Sequence, residues 1–174
     1  DKGIFGFGRA VGHTPYAMTN LVSNAGVVAS DTAGVGTARY GLDACEYGGD
    51  KGIFGYGYLG PAASMTNLVS NTGVVASDTT GVGTVRYVLA ACSYGGDKGI
   101  FGYGSTDGSD FFSMTNLVSN AGVVSSDVTG VGTGRFNIAA CEYGGDKGIF
   151  GFGTTGSVSS ITNLVSNAGV VASD

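Results

Sequence analysis

Charge is scarce in this chain: 12% of its 174 residues are Asp, Glu, Lys or Arg, against about 25% in an average soluble domain. A net charge of -5 at neutral pH leaves no basic stripe of the kind nucleic acid requires, so no nucleic-acid partner is expected. Intrinsic disorder is excluded too, because it needs high charge and low hydrophobicity, and here 43% of residues are hydrophobic. Tryptophan is absent, histidine occurs once and proline twice. No run approaches the roughly 18 apolar residues of a membrane helix, and no charged head with an apolar run marks a signal peptide. No membrane partner is expected. The three cysteines form no Cys-x-x-Cys pair and are odd in number, which argues against a disulfide framework.

Glycine and repetition are what the chain has in abundance. Of the 174 residues 34 are Gly, without the three-residue spacing of collagen. The block Asp-Lys-Gly-Ile-Phe-Gly-aromatic-Gly begins at Asp1, Asp50, Asp97 and Asp146, and Thr-Asn-Leu-Val-Ser-Asn follows at Thr19, Thr66, Thr115 and Thr162. Successive starts are 49, 47 and 49 residues apart, a period that belongs to propeller and solenoid units. Residues 32–49, 79–96 and 128–145 are all 18 residues long and share Gly-Val-Gly-Thr-x-Arg-aromatic, then small residues to Cys, then Tyr-Gly-Gly. Variation is confined to one insert per repeat, at residues 9–17, 58–64, 105–113 and 154–160, of nine, seven, nine and seven residues. Insertions that map to one face of a repeat array mark its binding face. The alternation of lengths predicts an even number of units in any closed ring.

Within a unit, Gly52–Gly57 is short, aromatic and β-branched between turn signals, and reads as a strand. Met65–Ser70 alternates apolar and polar residues, and Asn71-Thr72-Gly73 makes a three-residue hairpin loop into Val74–Ser77. Tyr87–Tyr94 supplies a further strand that turns at Gly95-Gly96-Asp97-Lys98. Helix is disfavoured because each interior Gly costs a helix about 1 kcal/mol. Four short antiparallel strands in about 48 residues is the arithmetic of a propeller blade. The expected fold is therefore all-β, one array over residues 1–174, with a partial blade at 1–31 and four-stranded blades at 32–78, 79–127 and 128–174.

The order of these residues resembles the kelch repeat: Arg86 before an innermost strand, small residues through Ala91, Gly95-Gly96, then an aromatic strand closed by Gly102 and Gly104. It departs from kelch in lacking the outer-strand Trp and in placing an aromatic between the two closing glycines. The blocks around Asp50, Thr66 and Thr79 also resemble tandem arrays in tail and virion proteins of tailed bacteriophages. That second resemblance implies a virion or extracellular component and supplies no catalytic residues. In a blade of this kind, the loop between the second and third strands shares a rim with the Asp-Thr-Thr-Gly-Val-Gly connection. This makes the rim the candidate ligand face, with His13, Tyr16, Tyr58, Leu59, Asp107, Asp110, Phe111 and Phe112 as candidates. Tyr and Phe anchor protein interfaces and their rings stack on sugars, so the expected partner is a protein or glycan surface; the alternative is that these rings fold down onto the outer strands.

The remaining chemistry is thin. Cys45, Cys92 and Cys141 recur at equivalent positions and could converge on a soft metal such as zinc, but free Cys packs as a small buried hydrophobe, and that is the expectation adopted. His13 has no counterpart in the other repeats and reads as an exposed loop residue. Asp31, Asp78, Asp127 and Asp174 suit turn formation through Asx hydrogen bonds better than calcium, which wants six to eight oxygens. The Asp-Lys pairs at residues 1, 50, 97 and 146 read as polar hairpin tips. Arg39, Arg86 and Arg135 recur just before each innermost strand, where they could ring a channel mouth and hold a carboxylate or phosphate, or fix the packing of adjacent blades. No cofactor, no metal and no catalytic constellation is expected. The chain reads as a structural or recognition module, a homo-oligomer or part of a longer polypeptide, with a cellular or secreted kelch-like scaffold as the alternative.

Overall fold

The computed structural model describes residues 2–174. Among them the chain is all-β, with eleven strands and no helix. The strands form four antiparallel sheets, one per repeat. The first sheet holds β1 (Gly3–Gly6) and β2 (Thr19–Val22); the second β3 (Asp43–Tyr47), β4 (Lys51–Gly55) and β5 (Thr66–Val69); the third β6 (Ala90–Tyr94), β7 (Lys98–Gly102) and β8 (Thr115–Val118); the fourth β9 (Ala139–Tyr143), β10 (Lys147–Gly151) and β11 (Thr162–Val165).

The Gly-Ile-Phe-Gly strand is central in each three-stranded sheet. Ile53 lies opposite Cys45 on one side and Leu68 on the other, and Ile100 opposite Cys92 and Leu117. Two turn types fix this register. At the Gly-Gly-Asp-Lys turn, Gly48 and Gly49 both take positive φ, 64° and 75°, which a side chain would resist. At the Asn-Thr-Gly loop, Ser70 N donates to Val74 O (2.9 Å) and Gly73 N to Ser70 O (2.8 Å).

The expected fourth strand of each unit is not a continuous strand. Val74–Ser77 makes one isolated bridge, Val69 to Val75, and the chain pairs again only at Thr66 with Thr79. Between these two points the Asn67 amide enters the seam, donating to Ala76 O (3.0 Å) and to Asp78 Oδ1 (2.9 Å). A side chain thus replaces the ladder that backbone groups would have made. The same Asn recurs at positions 20, 116 and 163 with the same two kinds of acceptor.

No sheet has a core of its own; apolar side chains meet between successive sheets. Tyr47, Ile53 and Tyr56 of the second pack with Leu89, Phe101 and Val118 of the third, and Tyr94, Ile100 and Tyr103 of the third pack with Ile138, Phe150 and Val165 of the fourth. The first strands β3, β6 and β9 lie side by side. Stability in such an array is carried by nearest-neighbour interfaces, and each interface here repeats the last.

Candidate functional site

The second, third and fourth units are each locked by a buried guanidinium. Arg39, Arg86 and Arg135 have no solvent exposure. Arg39 donates from Nε to Tyr56 O (2.7 Å), from Nη1 to Thr37 O (3.1 Å) and from Nη2 to Asn67 Oδ1 (2.6 Å), with Asp78 Oδ1 at 3.8 Å from Nη1. Arg86 and Arg135 repeat the Asn contact at 2.5 Å, and each has an Asp carboxylate 3.5 Å away, from Asp127 and Asp174. Each guanidinium also lies over an aromatic ring of the preceding sheet: Arg39 on Phe7 at 4.3 Å, Arg86 on Tyr56 at 4.8 Å, Arg135 on Tyr103 at 4.7 Å. Burial lowers Arg39 to about 10, opposed by Asp78.

This arrangement corrects the expectation of an anion-binding ring at a channel mouth. All three guanidiniums are spent on an asparagine and an aromatic face, Arg39 and Arg135 also on carbonyls, and none is exposed to a ligand. The aromatics beneath them sit in strained backbone. Phe7, Tyr56, Tyr103 and Phe152 have φ between 63° and 67°, a region that bulky residues rarely adopt. For Phe7, Tyr56 and Tyr103 the cation above and the neighbouring sheet's Phe beside, at ring distances of 5.1–5.2 Å, hold the conformation. Burial pushes Tyr56 and Tyr103 up to about 12, so both stay neutral phenols.

The carboxylates of Asp78, Asp127 and Asp174 complete the lock. Asp78 Oδ2 accepts from Thr37 N (2.9 Å) and Thr37 Oγ1 (2.6 Å), and Asp127 and Asp174 do the same with Thr84 and Thr133. Partial burial alone would raise Asp78 and Asp127, but hydrogen bonds from Thr and Asn outweigh it and leave both below the ordinary value. Asp174 is lowered by Thr133 and then Asn163. Since these folded values lie below the unfolded ones, the stabilisation is full above the unfolded carboxylate value near pH 4 and is lost as pH falls through the folded values. The unfolding midpoint is expected to be flat from about pH 7 to pH 5 and to drop below about pH 4; a midpoint that holds steady to pH 2 contradicts the lock.

The variable inserts run beside the same segments: Arg86 N donates to Ala63 O (3.3 Å) and Arg135 N to Phe112 O (3.1 Å). Residues 58–64 return beside the Gly-Val-Gly turn, where a Cβ on Gly81 would collide with Ser64, as one on Gly130 would with Ser113. Tyr58 pairs with Tyr40 and Ala63 with Arg86 in isolated bridges. The result is a row of half-buried rings: Tyr40 to Tyr58 at 5.4 Å, Tyr58 to Tyr87 at 5.0 Å, and farther on Phe111 stacked on Phe136 at 5.1 Å. Arg9 covers the outer face of Tyr40 at 4.5 Å and donates to His13 Nδ1 (2.6 Å), which makes the imidazole an acceptor on an exposed loop. The loop of Asp107 and Asp110 folds against Tyr87, whose hydroxyl would lie 3.0 Å from a Cβ on Gly108; the Tyr87 phenol is raised chiefly by burial and then by Tyr58, Tyr40 and these two acids. Asp110 accepts from Ser105 Oγ and Thr106 N, both at 2.8 Å, and from the Thr106 hydroxyl. Asp107 accepts from Ser109 N and Oγ.

The structure therefore brings Tyr58, Asp107 and Asp110 together. Phe111 joins a second cluster, Leu59 and Phe112 are half-buried beside the rim, His13 lies against Arg9, which covers Tyr40, and Tyr16 stands at the base of the first insert, its N donating to Gly8 O (2.8 Å). The rings lie on Tyr40, Tyr87 and Phe136, which precede the innermost strands, and not on the outer strands. Those three, with Arg9, belong to the site although the sequence alone did not point to them. Tyr40, Tyr87 and Phe136 sit in the constant frame, where no variation draws the eye; the signal was the aromatic that follows every buried Arg.

Other candidates take structural places, except Cys141, which is exposed and not packed as expected of the three cysteines. Cys45 Sγ and Cys92 Sγ press against Gly99 and Gly148 of the next sheet, and burial pushes both thiols up, Cys92 to about 12. Lys51, Lys98 and Lys147 pair with Asp50, Asp97 and Asp146 at 2.5–2.8 Å across the hairpin tips; the corresponding Asp1 lies outside the described residues. A cleft of about 670 Å³ opens between β1 and the β3–β4 hairpin. No insert residue lines it, and it occupies the place where the other three sheets carry a first strand.

No protein-family model and no curated protein sequence matches this chain. Its fold is similar to that of 127 solved chains. One of them, described as "Structure of YjhT", superposes with a TM-score of 0.66 at 13% identity over 94% of this chain and 53% of that one. The chain thus spans about half the length of that solved chain.

Proposed function

We propose that the chain is a non-enzymatic recognition module: a β-propeller-like array whose repeated frame presents variable loops along one rim to a glycan or protein surface. The observation that carries this is the row Tyr40, Tyr58, Tyr87 with the loop that holds Asp107 and Asp110 folded against Tyr87, built from two different inserts and two constant aromatics. Rings give a ligand apolar area and stacking surface, while the phenol hydroxyls and the acids offer hydrogen bonds at the row's edge. The frame beneath the second, third and fourth inserts is rigid, because each of these is anchored to a unit already locked by Arg, Asn and Asp. The resemblance to phage tail and virion arrays, not the geometry, makes bacterial surface glycans the first probes to try.

The two seven-residue inserts can be exchanged without altering the frame. Ala63 N and Ser159 N donate to the equivalent carbonyls of Gly57 and Gly153, at 2.8 and 2.9 Å. A chain carrying Thr154–Ser160 in place of Tyr58–Ser64 loses the central ring of the row. On an array of purified bacterial polysaccharides and host surface proteins, the unaltered chain is expected to bind a defined subset. The exchanged chain is expected to bind that subset at least about tenfold more weakly, the loss of roughly one stacking contact. Undiminished binding by the exchanged chain contradicts the assignment of the ligand face.

A further inference from the structure

Taking the rim as the ligand face, as proposed above, we infer that its ligand is an uncharged, hydroxyl-rich saccharide and that acidic saccharides are turned away. Charge is sorted along the central strands. β4, β7 and β10 each begin with a lysine, Lys51, Lys98 and Lys147, and run toward an insert. Those lysines pair with Asp50, Asp97 and Asp146 at the hairpin tips, away from the rim. At the rim end the guanidiniums of Arg39, Arg86 and Arg135 are buried, while the Asp78 and Asp127 side chains are 30% and 31% exposed and Asp107 stands in the open. Among the described residues Arg9 is the one exposed cation at that end, and it is laid on the Tyr40 ring and on His13. An anionic ligand therefore meets a face whose accessible charge is chiefly negative, and like charges brought together oppose binding.

The free hydrogen-bonding groups at the rim are those that match hydroxyls. Tyr40, Tyr58 and Tyr87 pack in a herringbone, with interplanar angles of 49° and 50°, so each ring covers part of its neighbour's face and no broad apolar platform is offered. What the row presents is ring edges and three phenol hydroxyls. Among the described residues these hydroxyls make no hydrogen bond, whereas the frame phenols of Tyr56 and Tyr103 donate to Val82 O and Val131 O. A phenol both donates and accepts, as a sugar hydroxyl does. The third insert adds a fixed acceptor. Asp107 Oδ1 accepts from Ser109 N (2.8 Å), Ser109 Oγ (2.7 Å) and Asp110 N (3.2 Å), which orients the carboxylate and leaves Oδ2 without a donor among the described residues. The loop is held against the row, since a Cβ on Gly108 would lie 3.0 Å from the Tyr87 hydroxyl. A sugar hydroxyl can donate to Asp107 Oδ2 in a charge-assisted bond, stronger than a neutral one; the carboxylate of an acidic sugar cannot.

The probes are amylose, laminarin, galactomannan and mannan, each beside the same polymer with its primary hydroxyls oxidised to carboxylates, and binding is measured by isothermal titration calorimetry. The unaltered chain is expected to bind at least one neutral polymer at least about tenfold more tightly than its oxidised counterpart, and added salt to narrow that gap by screening the charges. Asp107→Asn keeps the Oδ1 that holds the loop and gives up the charge. It is expected to weaken neutral binding by about tenfold, the loss of a charge-assisted hydrogen bond, and to narrow the gap, with circular dichroism and the unfolding midpoint unchanged. Equal or tighter binding of an oxidised polymer, a neutral affinity unmoved by Asp107→Asn, or no binding to any of the neutral polymers overturns the inference, and the last of these together with binding to a protein probe assigns the rim to a protein partner. The rim itself fails as the ligand face by a separate result: exchange of Tyr58–Ser64 for Thr154–Ser160 that leaves the binding of every probe unchanged.

Discussion

Arg86→Ala is expected to destabilise the chain by about 3–5 kcal/mol, the scale of breaking up a buried charge and its partners, here a guanidinium bonded to Asn116 and 3.5 Å from the partly exposed Asp127 carboxylate. The side chain is fully buried in the middle of the array. Its loss leaves Asn116 Oδ1 without its donor at 2.5 Å, uncovers the ring of Tyr56 and removes the counter-charge of Asp127. Tyr56 then keeps an unfavourable φ of 66° with one of its two supports gone. The guanidinium is not perfectly served, since Nε and Nη1 have no hydrogen-bond partner. A buried charge that is only partly satisfied adds less than its contacts suggest, which places the expected cost toward the lower end of that range. In a chain of this size a loss of about 3 kcal/mol lowers the thermal midpoint by roughly 6–12 °C. Lys cannot reproduce the planar fork, so Arg86→Lys is expected to rescue only part of the loss. A midpoint within about 1 °C of the parent for Arg86→Ala would mean that the Arg–Asn–Asp group is not the lock described above.

The second large effect separates two phenylalanines that share one sequence context. Phe101→Ala removes a fully buried ring from the joint between the second and third sheets and is expected to cost about 3–5 kcal/mol. Phe5→Ala, at the equivalent position of the first repeat, removes a ring that is mostly exposed, and is expected to stay within about 0.5 kcal/mol. Because the array couples only neighbours, Phe101→Ala is also expected to broaden the transition toward two steps. Chemical denaturation of both variants beside the parent checks the contrast; equal losses would show that the repeats do not differ in environment as the structure has them.

Much of this was readable in the sequence because the repeat supplies the same evidence four times. The Gly-Ile-Phe-Gly strand, the Thr-Asn-Leu-Val strand and the Asn-x-Gly hairpin were predicted within a residue or two, since alternation and turn glycines act locally. The fourth strand was not readable as broken. Val74–Ser77 has strand composition, and only the tertiary reach of the Asn67 amide explains why its ladder is interrupted. The arginines show the same limit. Their recurrence before the innermost strand marked them as important, but burial on an aromatic of the preceding sheet depends on a neighbour some 30 residues earlier, Tyr56 for Arg86. On the rim, insert length and aromatic content pointed to Tyr58 and Phe111, whereas Tyr40, Tyr87 and Phe136 looked like framework. They are framework; they are also the surface on which the insert rings lie.

Labour in this molecule is divided: stability resides in the Arg–Asn–Asp locks and the apolar interfaces between sheets, and the inserts are free to vary. The division is tested most directly by the unfolding midpoint of the chain in which Thr154–Ser160 replaces Tyr58–Ser64, measured against the parent. The midpoint is expected to fall by no more than about 4 °C, the equivalent of the roughly 1 kcal/mol that the pairings of Tyr58 with Tyr40 and Tyr87 contribute. A fall as large as that of Arg86→Ala would place the insert within the structural frame and contradict the division.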